Sequence, residues 1–205
     1  MNKEIKEWFL AILTAVIMMI FIHTFLFLSY SISGDSMYPT LKDHEKVIVS
    51  KISKTLNDID RGDIIVFHAT KNKDYVKRLI GVPGDKVVYQ DDVLYINDKK
   101  IEEEYLKENR ENKTNNLLTE DFTVDTLEHS NGSKTIPNGK YLVLGDNREV
   151  SMDSRRGLGL INKEQVVGKV SLRFYPFNRY KLSVLIVSIS LRFLLPKDFD
   201  DNMIL

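Results

Sequence analysis

The chain of 205 residues has no cysteine. Disulfides, thiol catalysis and thiolate metal sites are therefore excluded, and the protein is indifferent to the redox state of its surroundings, so it can work outside the cell. Histidine is scarce: only His23, His44, His68 and His129 are present. They are scattered and form no His-Glu-x-x-His, which removes the commonest metalloprotease signature and leaves no metal or organic cofactor implied. Gly-x-Ser-x-Gly is also missing, and none of His44, His68 or His129 sits in a motif pairing it with a serine, which argues against a Ser-His-Asp hydrolase. Net charge is absent too: 29 Lys and Arg balance 29 Asp and Glu. Nothing here points to nucleic acid as a partner.

What is present begins with a long apolar run. Residues 8–28 are broken only by Thr14, His23 and Thr24, about the length a helix needs to cross a bilayer. The run reads as a transmembrane anchor behind a short charged segment, 1–7, and His23 is given no role within it. Ser29-Tyr30-Ser31 and Ser31-Ile32-Ser33 resemble small-x-small cleavage sites, but the run exceeds the roughly 7 to 15 apolar residues of a signal peptide. Large domains translocate largely regardless of their charge, so the expected topology keeps 1–7 inside and carries 29–180 across.

Beyond the run, short β-branched or apolar stretches at 46–50, 63–67, 87–89, 93–96 and 141–144 are bounded by Gly, Asp or Asn. Gln90-Asp91-Asp92 reads as a hairpin turn, and Arg61-Gly62-Asp63 and Asn97-Asp98 as further turns. The spacing predicts a mostly β domain without βαβ units. Residues 99–138 turn charged and polar, consistent with a small helix-and-loop insertion between two halves of one sheet, and no chemistry is expected there. In the tail, 181–205, residues 187–193 alternate as a half-buried strand or membrane-surface segment would.

Two stretches carry chemistry. In Ser33-Gly34-Asp35-Ser36-Met37-Tyr38-Pro39-Thr40-Leu41 a serine sits between a Gly-Asp turn and a Met-x-Pro segment, on backbone that turns sharply and then stiffens. Such a hydroxyl needs a base to become a nucleophile. Tyr75-Val76-Lys77-Arg78-Leu79-Ile80-Gly81-Val82-Pro83-Gly84-Asp85 supplies a lysine set in apolar bulk. Strand alternation places Lys77 and Arg78 on opposite faces, so Lys77 can enter a site that Arg78 leaves. Desolvation would make the amine basic near neutrality.

With a third stretch, Gly145-Asp146-Asn147-Arg148 followed by Ser151-Met152-Asp153-Ser154-Arg155, the chain resembles the bacterial type I signal peptidases, in their single-span Gram-positive branch. The resemblance runs from the apolar segment to about residue 179. It implies a signal-peptidase and repressor-protease-like β fold. Its implied activity is a membrane-bound serine endopeptidase on the outer face of the cytoplasmic membrane, removing signal peptides from exported preproteins after Ala-x-Ala type sites. The bilayer and the protein-export machinery would be its surroundings. By the same resemblance Ser36 is nucleophile, Lys77 base, and Ser151 the hydroxyl that orients the lysine. Asp153 with Arg155, and likewise Asp146 and Arg148, are supporting residues, and Ile32, Met37, Leu41, Tyr75 and Val76 are pocket walls. Some members carry an oxyanion-donating hydroxyl where this chain has Gly34. The alternative from another class is a membrane-anchored scaffold of the same fold without catalysis, against which the intact Ser36, Lys77 and Ser151 argue.

Overall fold

The computed structural model describes residues 3–175. Strands and helices follow in the order α1 (Lys3–Phe25), β1 (Phe27–Ser31), β2 (Lys46–Ser50), α2 (Ile52–Thr55), β3 (Ile64–Thr70), β4 (Lys73–Gly81), β5 (Val87–Gln90), β6 (Val93–Ile96), β7 (Lys99–Ile101), α3 (Lys107–Glu111), β8 (Phe122–Thr123), β9 (Lys140–Leu144), β10 (Ile161–Asn162) and β11 (Val166–Tyr175). The fold is mostly β, as the turn spacing predicts. The tail strand expected at 187–193 lies outside the described residues.

The strands form two sheets, one ordered β1-β2-β11-β3-β4-β9-β10 and the other β7-β6-β5-β8. The second is larger than the insertion read from composition, because the 87–96 hairpin belongs to it and not to the first sheet. Period and turn residues identify that hairpin but do not say which sheet it joins. Its turn and the next one, between β6 and β7, follow from side chains that tolerate left-handed backbone: Asp91 and Asp92 have φ of 51° and 63°, Asn97 and Asp98 53° and 64°. Two successive positive φ values make the turn whose twist matches that of paired strands.

The apolar run is divided. Helix α1 ends at Phe25, and Phe27 and Leu28 begin β1, an edge strand paired antiparallel with β2 from Phe27↔Ser50 to Ser31↔Lys46. An apolar count cannot separate the end of a helix from the start of a strand when both are apolar. The charges at Lys3, Glu4, Lys6 and Glu7 fall in the first turns of α1, and among the described residues no helix is long and apolar enough to cross a membrane.

Three apolar clusters hold the sheets. One joins β4 and β9 to the second sheet through Ile80, Val87, Tyr89, Leu94, Phe122, Leu142 and Leu144. A second packs Ile65, Phe67, Leu79, Tyr141 and Val143. The third, Ile32, Met37, Leu41, Val47, Val49 and Val66, lies under the loop that follows β1. Burying a side chain of this size stabilises by about 1.5–3 kcal/mol. Met37 and Leu41 thus pin that loop on the far side of Ser36.

Candidate active site

Ser36 sits in the loop between β1 and β2. Gly34 opens the turn with φ +86°, a conformation that side chains rarely adopt, and its N–H donates to Asp43 Oδ1 at 2.9 Å. Tyr38 N–H returns to Asp35 O (3.0 Å) and Leu41 N–H to Met37 O (2.9 Å), while Asn147 N–H holds the carbonyl of Ser36 itself at 3.1 Å. The loop is fixed from both sides of the nucleophile candidate.

Lys77 comes from β4, opposite Ile65 of β3. Its Nζ stands 2.7 Å from Ser36 Oγ, and the residue is only 3% exposed. Burial pushes its pKa down from 10.5 to about 8, against the pull of the nearby Asp153 and Asp146 carboxylates. Arg78 leaves by the other face, as alternation predicts: its guanidinium takes Asp146 with two bonds of 2.8 and 2.6 Å and Gly62 O at 2.7 Å.

The third stretch forms the floor. Arg148 is fully buried and donates to Glu103 Oε1 (2.7 Å), Tyr89 Oη (2.9 Å) and Gly145 O (3.0 Å). Burial alone would raise the Glu103 carboxyl, but Arg148 and the Tyr105 and Tyr89 hydroxyls hold it below its usual value. Asp153 pairs with Arg155 at 2.9 Å and accepts Gly145 N–H at 3.0 Å; burial opposes its ionisation and Arg155 prevails, so its pKa is lowered. Gly145 is required by close approach, since a Cβ there would lie 2.1 Å from Ser151 Oγ and 2.5 Å from Ser36 O.

Two expectations about individual residues are corrected. Ser151 reaches the site, but its expected bond to Lys77 is absent: Ser151 Oγ is buried without a hydrogen-bond partner among the described residues. Its backbone is held by Asn147 O, so the missing bond is a matter of where the hydroxyl turns. Leu41 is core and not a pocket wall. It closes the turn onto Met37, which drives its side chain into the third cluster.

Beside Ser36 and Lys77 opens a cleft of about 370 Å³, whose lining includes Ile32, Met37, Tyr75, Val76 and Gly34. Reasoning from sequence missed Tyr30, Asp74, Val150 and Met152 on its walls. Tyr30 Oη donates to Asp74 Oδ2 at 2.8 Å, linking β1 to β4 across the cleft. Tyr30 was hidden at the end of the apolar run, where alternation was the one available signal.

The described residues thus form a β-sheet domain in which a buried lysine amine meets a loop serine beside an open cleft. The family description "Signal peptidase, peptidase S26" matches residues 5–175, and the chain belongs to that family, among its Gram-positive type I enzymes. It is 50% identical over 182 residues to signal peptidase IB of Staphylococcus aureus, covering 88% of this chain and 95% of that one. To signal peptidase I S of Bacillus subtilis it is 44% identical over 183 residues, 88% and 94% of the two chains. A crystal structure of a signal peptidase I from Enterococcus faecalis is 46% identical, covers 54% of this chain and 95% of the other, and superposes with a TM-score of 0.49. The protein is a hydrolase that removes signal peptides, and preproteins bearing them are its substrates.

Proposed function

We propose that Ser36 is the nucleophile of this peptidase and Lys77 its general base, cutting preproteins after small residues of the Ala-x-Ala type. The observation that carries the reading is the 2.7 Å separation of Ser36 Oγ and Lys77 Nζ at a buried amine. With a pKa of about 8, about a tenth of the amines are neutral at pH 7, against about one in three thousand at the ordinary 10.5. Neutral Lys77 takes the proton as Oγ attacks the scissile carbonyl, and the ammonium returns it to the leaving amine. A water then loses its proton to Lys77 and hydrolyses the ester on Ser36. The Ser36 N–H is the available oxyanion donor, because Gly34 has no hydroxyl to offer.

The peptide would lie extended in the cleft, where Ile32, Met37, Tyr75 and Val76 leave room for small side chains. Helix α1 is the membrane anchor, with the domain on the extracytoplasmic face, where the export machinery delivers substrates. Its apolar side chains at Trp8, Phe9, Ile12, Ile17 and Met19 are left exposed by the described residues.

The test is cleavage of a preprotein with an Ala-x-Ala site by detergent-solubilised enzyme, Ser36→Ala and Lys77→Ala across pH. Wild type cuts after the site, with a rate that rises with pH through about 8, and both variants lose activity by at least about 10³-fold. Cleavage by Ser36→Ala removes the nucleophile assignment. A pH midpoint near that of free lysine removes Lys77 as base.

A further inference from the structure

Asn109 lies on α3, inside the polar stretch in which the sequence gives no reason to expect chemistry. Its Nδ2 donates to Tyr38 O at 2.8 Å and to Asp146 O at 2.7 Å. A side-chain amide nitrogen carries two hydrogens, and both are engaged. The two carbonyls belong to different loops. Tyr38 follows Ser36 by two residues, and Asp146 precedes Asn147, whose N–H holds Ser36 O at 3.1 Å. Neighbours on the same side reinforce the contact: Tyr38 Oη donates to Glu108 at 2.6 Å, and the Arg78 guanidinium rests 3.8 Å from the centre of the Tyr105 ring. Arg78 in turn holds the Asp146 carboxylate and follows Lys77 directly along β4. Asn109 does not line the cleft.

We propose that Asn109 is a positioning residue. Its amide ties the loop carrying Ser36 to the loop carrying Asp146, and so keeps Ser36 Oγ in register with Lys77 Nζ. Neither loop has a strand partner at these positions, so such cross-loop bonds are what set the separation of nucleophile and base. A misplacement of about 1 Å at a reacting pair costs up to about 10²-fold in rate. The proposal rests on the Ser36–Lys77 reading.

The discriminating variant is Asn109→Asp, which keeps the shape but offers a carboxylate that only accepts, facing two carbonyl oxygens. Asn109→Ala removes both shape and donors, and Asn109→Ser keeps one shorter donor. The full-length enzyme, these variants and Ser36→Ala are assayed on one preprotein for kcat, KM and melting temperature. The expected result is a kcat lower by about tenfold or more in Asp and Ala, Asp no better than Ala, and Ser between. KM stays within about threefold, because Asn109 does not touch the cleft. Should Asn109→Asp not fold, Asn109→Ser carries the test by its fall in kcat at unchanged KM. Wild-type kcat in Asn109→Asp would overturn the proposal, as would kcat and KM worsening together in step with melting temperature. An active Ser36→Ala would bring down the underlying reading and this one with it. A dead Ser36→Ala beside a fully active Asn109→Asp would bring down this one alone.

Discussion

If Lys77 is the base, as proposed, activity and stability oppose each other at that residue. An amine whose pKa is about 8 in the folded chain and 10.5 in the unfolded one binds fewer protons when folded throughout that interval. Stability therefore rises with pH between about 8 and 10.5, and below 8 the full penalty for desolvating the amine is present. Lys77→Met, similar in size and uncharged, removes the penalty. It is expected to be more stable at pH 7 by up to about 3 kcal/mol, with the gain shrinking as pH rises toward 10.5. Denaturant titration at pH 7 and pH 10 checks this, and equal differences at the two values would contradict it. Gly145 is a second sensitive point. Gly145→Ala would drive a methyl into Ser151 and the Ser36 carbonyl; the expected result is a loss of cleavage of at least about tenfold, measured on the same preprotein. That Ser36 and Lys77 meet was legible through the resemblance carried by three stretches together, since a Gly-Asp-Ser turn and an apolar-flanked lysine are each common by themselves. The direction of the Ser151 hydroxyl left no mark in the sequence, because a rotamer depends on neighbours distant in the chain.

Among the elements, strands with alternating β-branched residues were legible and their sheet membership was not. The polar stretch 99–138 shows why. Composition marks it only as charged and polar, yet Glu103 is 1% exposed because Arg148, 45 positions away, meets it in the interior. A buried charge is recognisable only once its partner is in place. This pair ties the second sheet to the loop of Asp146 and Arg148, so its removal is costly. Glu103→Ala leaves the Arg148 guanidinium buried and unpaired, and a loss of about 3–5 kcal/mol is expected, read from urea unfolding. A loss below about 1 kcal/mol would mean that Arg148 finds solvent, contrary to its complete burial. The burial of Glu103 adds a pH dependence. Its folded pKa is depressed, so its contribution is present above the unfolded value of about 4.5 and fades as pH falls through the folded one.

For the whole molecule, the physical problem is helix α1. Trp8, Phe9, Leu10, Ile12, Ile17, Met18 and Met19 are each at least 58% exposed, and they occupy every side of the helix. A helix apolar all round requires apolar surroundings. The domain does not provide them, since the chain leaves α1 at Phe25 and enters β1 at Phe27. On the proposed reading the cover is a bilayer, which would hold the cleft close to the membrane. The expected outcome is that full-length protein stays in the membrane pellet after alkaline carbonate extraction. In cells stripped of their wall, externally added protease should digest the domain while leaving a cytoplasmic marker intact. Release by carbonate would reduce α1 to a peripheral contact. Protection from external protease would place the domain inside, where a peptidase could not meet signal peptides on the far side of the membrane. The two assays therefore test attachment and sidedness separately, and a Ser36–Lys77 enzyme that processes exported proteins requires both to come out as stated.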